Sequence, residues 1–280
     1  MIESEQSSVE ALGVEAHPFV ARVGQTKLLW RQDARAFHQF ALAMLEQAKT
    51  IESAPCGYPP LIEKCFPPDI LRRLDALRRA WEASADGSPP SELSWLALTA
   101  ILRECSPVGT AQWQYVLPNK SKAKSVDPYA AFTAKVYLYA GDMAARQRRP
   151  LGPVAALNRD DARRMESVPD AWADLVITSP PYANNYDYAD ATRLEMSFFR
   201  QIRGWGDLHN AVRQHLVRSC SQHRVAGASR ALLDDPLLAP IHGSLTEVYE
   251  RLEAERSEHG GKKAYHTMIA AYFADMARVW

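Results

Sequence analysis

Two prolines stand directly behind a short run of apolar and β-branched residues. Residues 174–188 read DLVITSPPYANNYDY, and this stretch restricts the fold more than any other. Val176, Ile177 and Thr178 suit a pleated, buried strand. Pro180 and Pro181 then fix φ twice and remove two successive N–H donors, so strand pairing cannot run on past Thr178. The carbonyls around Ser179 and Pro180 lose the neighbours that a continued strand would supply, and they can be held outward as acceptors. The Tyr182 ring stands next to them. Acceptors beside an aromatic plate suit a planar group bearing an exocyclic NH2: the acceptors take the amine hydrogens and the ring stacks. Pro59-Pro60 and Pro89-Pro90 have no such context and read as turns.

Two further short apolar runs fit the same architecture. Residues 154–157 are ended by Asn158-Arg159-Asp160-Asp161, and Val14-Glu15-Ala16 lies between Gly13 and His17-Pro18. Strands that alternate with helical stretches predict an α/β fold with a parallel sheet, whose site lies in loops at the carboxyl ends of its strands. Between the first strand and the others the chain is mainly helical by periodicity. From Phe19 to about Ile51, the residues Phe37, Phe40, Ala41, Met44 and Leu45 form one stripe. Asp69 is placed to cap a helix with Leu71, Leu74, Leu77 and Trp81 inward and Arg72, Arg73, Arg78 and Arg79 outward. Residues 93–105 and 129–149 read as helices, the first with Ser91 as a cap, and residues 53–68 and 106–128 as irregular. Ser244-Leu-Thr-Glu247 is a capping box that opens a helix, and a last amphipathic helix runs to Trp280.

Charge and composition narrow the class. Lys+Arg and Asp+Glu both number 33, and 47% of residues are hydrophobic, so this is an ordinary globular chain rather than a disordered or collagen-like one. The neutral total hides a basic segment: residues 118–150 carry seven bases against two acids, a net +5. Lys120, Lys122 and Lys124 lead it, and a phosphate-contacting role stands beside that of a solvated face. Cys56, Cys65, Cys105 and Cys220 have no C-x-x-C spacing, which argues against a zinc ribbon or a dithiol redox motif and for reduced thiols. No run approaches the roughly 18 apolar residues of a membrane span, and the first residues do not have the pattern of a signal peptide. The expectation is a cytoplasmic protein with no membrane or metal role.

Ser179-Pro180-Pro181-Tyr182 at a strand end resembles motif IV of the S-adenosylmethionine-dependent DNA amino-methyltransferases, which methylate N4 of cytosine or N6 of adenine. The Ser-first form, after Thr178, is most associated with the N4-cytosine enzymes but occurs in both, so the base stays open. Residues 12–27, LGVEAHPFVARVGQTK, look like motif II, where an acid at a strand end, here Glu15, holds the ribose hydroxyls of the cofactor. Residues 158–163, NRDDAR, look like motif III, where an acid accepts from the adenine amine; Asp161 is the first candidate and Asp160 its competitor. The resemblance covers residues 10–30 and 150–200. It implies a partial Rossmann-like methyltransferase sheet: residues 1–30 as part of the cofactor-binding core, 31–150 as a mainly helical insertion that contributes to DNA binding, and 151–280 as the catalytic part.

The same resemblance implies S-adenosylmethionine as cofactor and double-stranded DNA as partner, with a base flipped from the stack. Tyr182 stacks on that base, while Ser179 and the Pro180 carbonyl accept from its NH2. The methyl mark suits a restriction or phage-defence system, whose other component would be a further partner. Tyr186 and Tyr188 line the base pocket or serve packing. The family's Gly-rich loop is not found in the chain, so the expectation is an incomplete reading frame, a split subunit or a degenerate relative, with weak cofactor binding by these residues alone. Enzymes acting on tRNA guanine or protein glutamine share Pro-Pro-Tyr but start with Asp or Asn, so Ser179 weighs against them. A nucleic-acid-binding module that keeps the fold without catalysis is the alternative from another class.

Overall fold

The computed structural model describes residues 1–110, 116–121, 124–183, 186–222, 230–260 and 264–280. The chain is mixed α/β and mostly helical, with one parallel and one antiparallel strand pair among the described residues. No described helix is long and apolar enough to cross a membrane. Two compact units form: residues 1–13, 19–158 and 191–207 make the first, and residues 14–18, 159–190 and 208–280 the second.

The first unit is built on helices whose apolar stripes face one another. It begins with α1 (Ile2–Gln6) and β1 (Leu12–Val14). The stripe beginning at Phe19 is not one helix. α2 (Pro18–Lys27) opens on a proline, whose missing N–H costs nothing in a first turn. A 3-10 turn, Leu28–Arg31, ends it, and α3 (Ala34–Thr50) restarts where the Asp33 carboxylate accepts from the Arg35 and Ala36 amides. The proline-rich stretch expected to be irregular contains α4 (Pro60–Cys65). α5 (Pro68–Ser84) starts one residue before Asp69, which lies inside its first turn, and α6 (Pro89–Cys105) is capped by Ser88 rather than Ser91. Both helices begin on a proline at N1, which shifts each cap one residue upstream of that proline.

Residues 106–128, expected to be a loop, hold β2 (Val108–Thr110) and β3 (Val116–Ser121), paired antiparallel. β2, at three residues, is too short to show alternation, and β3 ends in three polar residues. α7 (Pro128–Gln147) follows, capped by Asp127, and then β4 (Ala156–Asn158), which pairs with β1. Phe37, Met44, Leu74, Leu77, Leu98, Ile101, Leu102 and Phe132 form the fully enclosed core of this unit.

One inward charge departs from the sequence pattern. Arg78, expected on the outer face of α5, is only 4% exposed. Its Nη2 donates to Asp75 at 2.7 Å and its Nε to the Tyr58 hydroxyl, which itself donates to Asp75 at 2.6 Å. A buried guanidinium is tolerated when its donors are met by a buried carboxylate. Burial, with the Asp75 hydrogen bond, pushes the Tyr58 hydroxyl up.

Two short helices come next, α8 (Tyr188–Ala191) in the second unit and α9 (Arg193–Phe198) in the first. α9 adds Leu194 and Phe198 to the first core. The second unit continues with α10 (Leu208–Ala211), short 3-10 turns, α11 (His242–His259) and α12 (Tyr265–Val279). Ser244 lies inside α11 rather than at its start, so its capping box is not used as a cap. α11 and α12 pack through Leu245, Tyr249, Ala270 and Ala274 onto Leu233 and Leu238.

Candidate functional site

β1 and β4 run parallel and end in acidic residues. Glu15 follows β1 directly, while Asp160 and Asp161 follow β4 by two and three residues. Parallel neighbours send their carboxyl ends to the same sheet edge, where α/β proteins bind ligands. Glu15 is half-buried. Its Oε1 accepts the His17 amide at 2.8 Å, and burial raises its carboxyl above the ordinary value. His17, two residues on, is 3% exposed. Burial pushes its imidazole down to about 4, against the pull of the nearby Asp187 charge. His17 is therefore a neutral buried group at neutral pH.

Asp187 belongs to the tail of the Pro-Pro-Tyr segment. It is 8% exposed, and its Oδ2 takes Arg213 Nη2 at 2.6 Å in a buried ion pair. Tyr186 is buried and meets the more exposed Tyr188 edge to face, with ring centroids 4.5 Å apart. Asn184 and Asn185 lie outside the described residues.

Asp161 is engaged. Its Oδ1 accepts from the Arg163 amide and Nε, and its Oδ2 from Arg163 Nε and Nη2, the last at 2.6 Å. Burial acts to raise this carboxyl, but the Arg163 hydrogen bonds and charge hold it below the usual range. Arg163 reaches on to Asp275 of α12 at 3.2 Å, and Asp275 takes Arg218 Nη2 at 2.5 Å. Asp160 instead closes a turn by accepting the Ser167 amide and hydroxyl. Sequence reasoning did not find Asp275 or Arg218. The available signal was that Asp275 is the single acid in the apolar helix AYHTMIAAYFADMARVW.

The run before the two prolines departs from expectation. Residues 174–178 are not a strand, and Leu175, Val176 and Ile177 are 76%, 66% and 87% exposed. A strand needs a neighbour to take its backbone groups, and the β1–β4 pair does not extend to this run. Ser179 is exposed and Tyr182 is 71% exposed, while Pro180 and Pro181 are half-buried. Pro180 forms part of the wall of a groove of about 350 Å³, together with Leu237, Ile241, Tyr272, Phe273 and Trp280. Lys120 on β3 and Lys124 beyond it are both exposed, and Lys122 lies outside the described residues.

The four cysteines are free. Burial pushes the Cys65 thiol up to about 11 and the Cys105 thiol up to about 12. Comparison with models of protein families, with curated proteins and with solved structures finds no match to this chain.

Proposed function

We propose that the chain acts in the transfer of a methyl group from S-adenosylmethionine to an exocyclic amino nitrogen of DNA, N4 of cytosine or N6 of adenine, on a partial Rossmann-like sheet in the cytoplasm. The observation that carries this reading is Glu15 at the carboxyl end of a parallel strand pair, with Ser179, Pro180, Pro181 and Tyr182 presented as an outward polar-apolar-aromatic segment. The groove against Pro180 adds aromatic and apolar side chains of the kind a base can rest on.

The fit to the cofactor is partial. Glu15 suits a ribose diol, since one oxygen holds the His17 amide and the carboxylate has acceptor sites to spare. Asp161 does not suit an adenine amine as it stands, because Arg163 occupies both its oxygens; no step is assigned to it. When bound, the sulfonium supplies an electrophilic methyl group. On the protein side, Tyr182 stacks on the flipped base. Ser179 Oγ and the Pro180 carbonyl accept from the NH2 and turn the nitrogen lone pair out of conjugation with the ring, towards the side on which a methyl donor would sit. Positioning of this kind supplies much of the rate in a bimolecular transfer. Lys120, Lys122 and Lys124 contribute phosphate contacts, and a restriction or defence component fits as partner.

A second reading is a nucleic-acid-binding module, or one subunit of a split enzyme, without turnover of its own. The exposed run at residues 175–177 favours it, because β-branched residues at that exposure suit an added strand.

The test is transfer of tritiated methyl to duplex DNA by wild type, Ser179→Ala and Tyr182→Ala, with DNA binding and folding measured in parallel. The first reading expects wild-type transfer and a loss of at least about 100-fold in each variant, with folding intact. Wild-type turnover in both variants overturns it. DNA binding without transfer by any of the three supports the second reading.

A further inference from the structure

The helical unit holds a cavity of about 400 Å³ that methyl transfer does not use. Its floor is apolar, made by Ile2, Leu93, Leu96 and Met143, with Trp30 beside them. Its rim carries Lys27, Arg146 and Arg149 against one acid, Asp142. Lys27 and Arg149 are exposed. Arg146 is anchored: its Nη2 donates to the Glu3 carboxylate at 2.9 Å and to the Ile2 carbonyl at 3.3 Å, and its guanidinium lies 5.5 Å from the Trp30 ring centre.

Two residues that line this cavity each carry an unmet donor. Arg146 Nε and the Gln6 side-chain amide nitrogen are both buried and bond to nothing. A buried donor without an acceptor is costly, and both belong to residues lining the same space. A volume of this size lies in the range of small-molecule sites, about 300–1,000 Å³. The rim excess of positive charge selects an anion, and the apolar floor requires a carbon body.

We propose that this cavity binds a small organic phosphate monoester. The dianionic head meets Lys27, Arg146 and Arg149, while an apolar or aromatic body rests on Leu93, Leu96 and Met143. A phosphate matches the rim better than a carboxylate does, because it carries up to two charges and three free oxygens. The site uses neither Glu15 nor residues 174–182, so it stands or falls apart from the methyl-transfer reading.

The test is calorimetric titration of the full chain with 1-naphthyl phosphate, with 1-naphthol and inorganic phosphate as controls. Two variants accompany it: the double variant Lys27→Gln/Arg149→Gln, at exposed rim positions, and Ala145→Trp, which fills the cavity from an exposed lining position. The expected result is saturable binding of one naphthyl phosphate per chain. Binding weakens at least about tenfold in the double variant, is lost in Ala145→Trp at unchanged Tm, and is at least about tenfold weaker for either control compound. No saturable binding by wild type overturns the proposal. So does equal affinity for inorganic phosphate or naphthol, or wild-type affinity in the double variant, which remains interpretable if Ala145→Trp fails to fold.

Discussion

His17 makes folding sensitive to acid in a way that can be worked out from its surroundings. Its side chain is 3% exposed and its imidazole is pushed down to about 4 by burial, whereas in an unfolded chain it titrates near 6.5. The folded value lies below the unfolded one. Neutral His17 is therefore tolerated at full stability above pH 6.5, and stability is lost as pH falls from 6.5 towards 4, because the unfolded chain takes up a proton that the folded chain refuses. Between pH 7.5 and 4.5 the loss from this residue is about 2–3 kcal/mol. Replacing it with a neutral side chain, His17→Gln, should remove that increment while the other titrating groups, Glu15 and Asp187 included, stay common to both proteins. The assay is urea unfolding of wild type and variant at pH 7.5 and 4.5, with the difference of differences as the readout, and the imidazole titration followed by NMR. A folded-state midpoint near 6.5, or the same acid-induced loss in both proteins, would refute the reasoning.

Glu5→Ala should be among the costly truncations in the first unit. Glu5 is fully buried, and it accepts from Trp30 Nε1 at 2.6 Å, from Arg31 Nε at 3.2 Å and from the Ala155 amide at 2.8 Å. Glu5→Ala leaves the Trp30 and Ala155 donors buried without an acceptor, so a loss of about 3–5 kcal/mol is expected in chemical denaturation; a loss below about 1 kcal/mol contradicts the network. If the lysines touch phosphate, reversing Lys120, Lys122 and Lys124 to Glu should flatten the plot of log affinity for duplex DNA against log salt, by about 0.9 for each phosphate no longer neutralised. An unchanged slope assigns them to a solvated face.

What could be read from the sequence follows from which forces are local. The helices α3, α5 and α7 were visible because their stripes repeat at helical spacing over 17 to 20 residues. Glu15 was legible as a strand-end acid because the apolar step at Val14 is stopped by Pro18, although the strand is Leu12–Val14, with Gly13 inside it rather than before it. The failures have non-local causes. Whether residues 174–178 are a strand depends on a neighbour to pair with, and the run itself, three exposed apolar side chains in a row, reads the same with or without one. The β2–β3 pair was missed because its first strand is three residues long and its second carries Asn119, Lys120 and Ser121. Arg78 was placed outward by periodicity, since nothing in the α5 sequence reveals that Tyr58 supplies the buried hydroxyl beside Asp75.

The charges that periodicity misplaces are also the ones that fix how segments meet. A buried ion pair adds little net stability over an apolar replacement, but it penalises every arrangement that leaves one member unpaired. Glu5 joins three separate stretches by this rule: α1, the turn at Trp30 and Arg31, and the chain at Ala155. Ala155 immediately precedes β4, and the first hydrogen bond between the strands runs from the Ala156 amide to the Ala11 carbonyl at 3.1 Å. Gly152 supports the same approach. Its amide donates to the Glu5 carbonyl at 2.9 Å, and a Cβ there would overlap that oxygen. A hydrophobic contact alone would allow β4 to slide by a residue, turning each side chain to the opposite face. Two polar ties to one buried residue do not. The position at which the chain leaves β4 for Asp160 and Asp161 is therefore set by a glutamate more than 150 residues earlier, on a helix whose sequence, IESEQ, looks like a solvated surface.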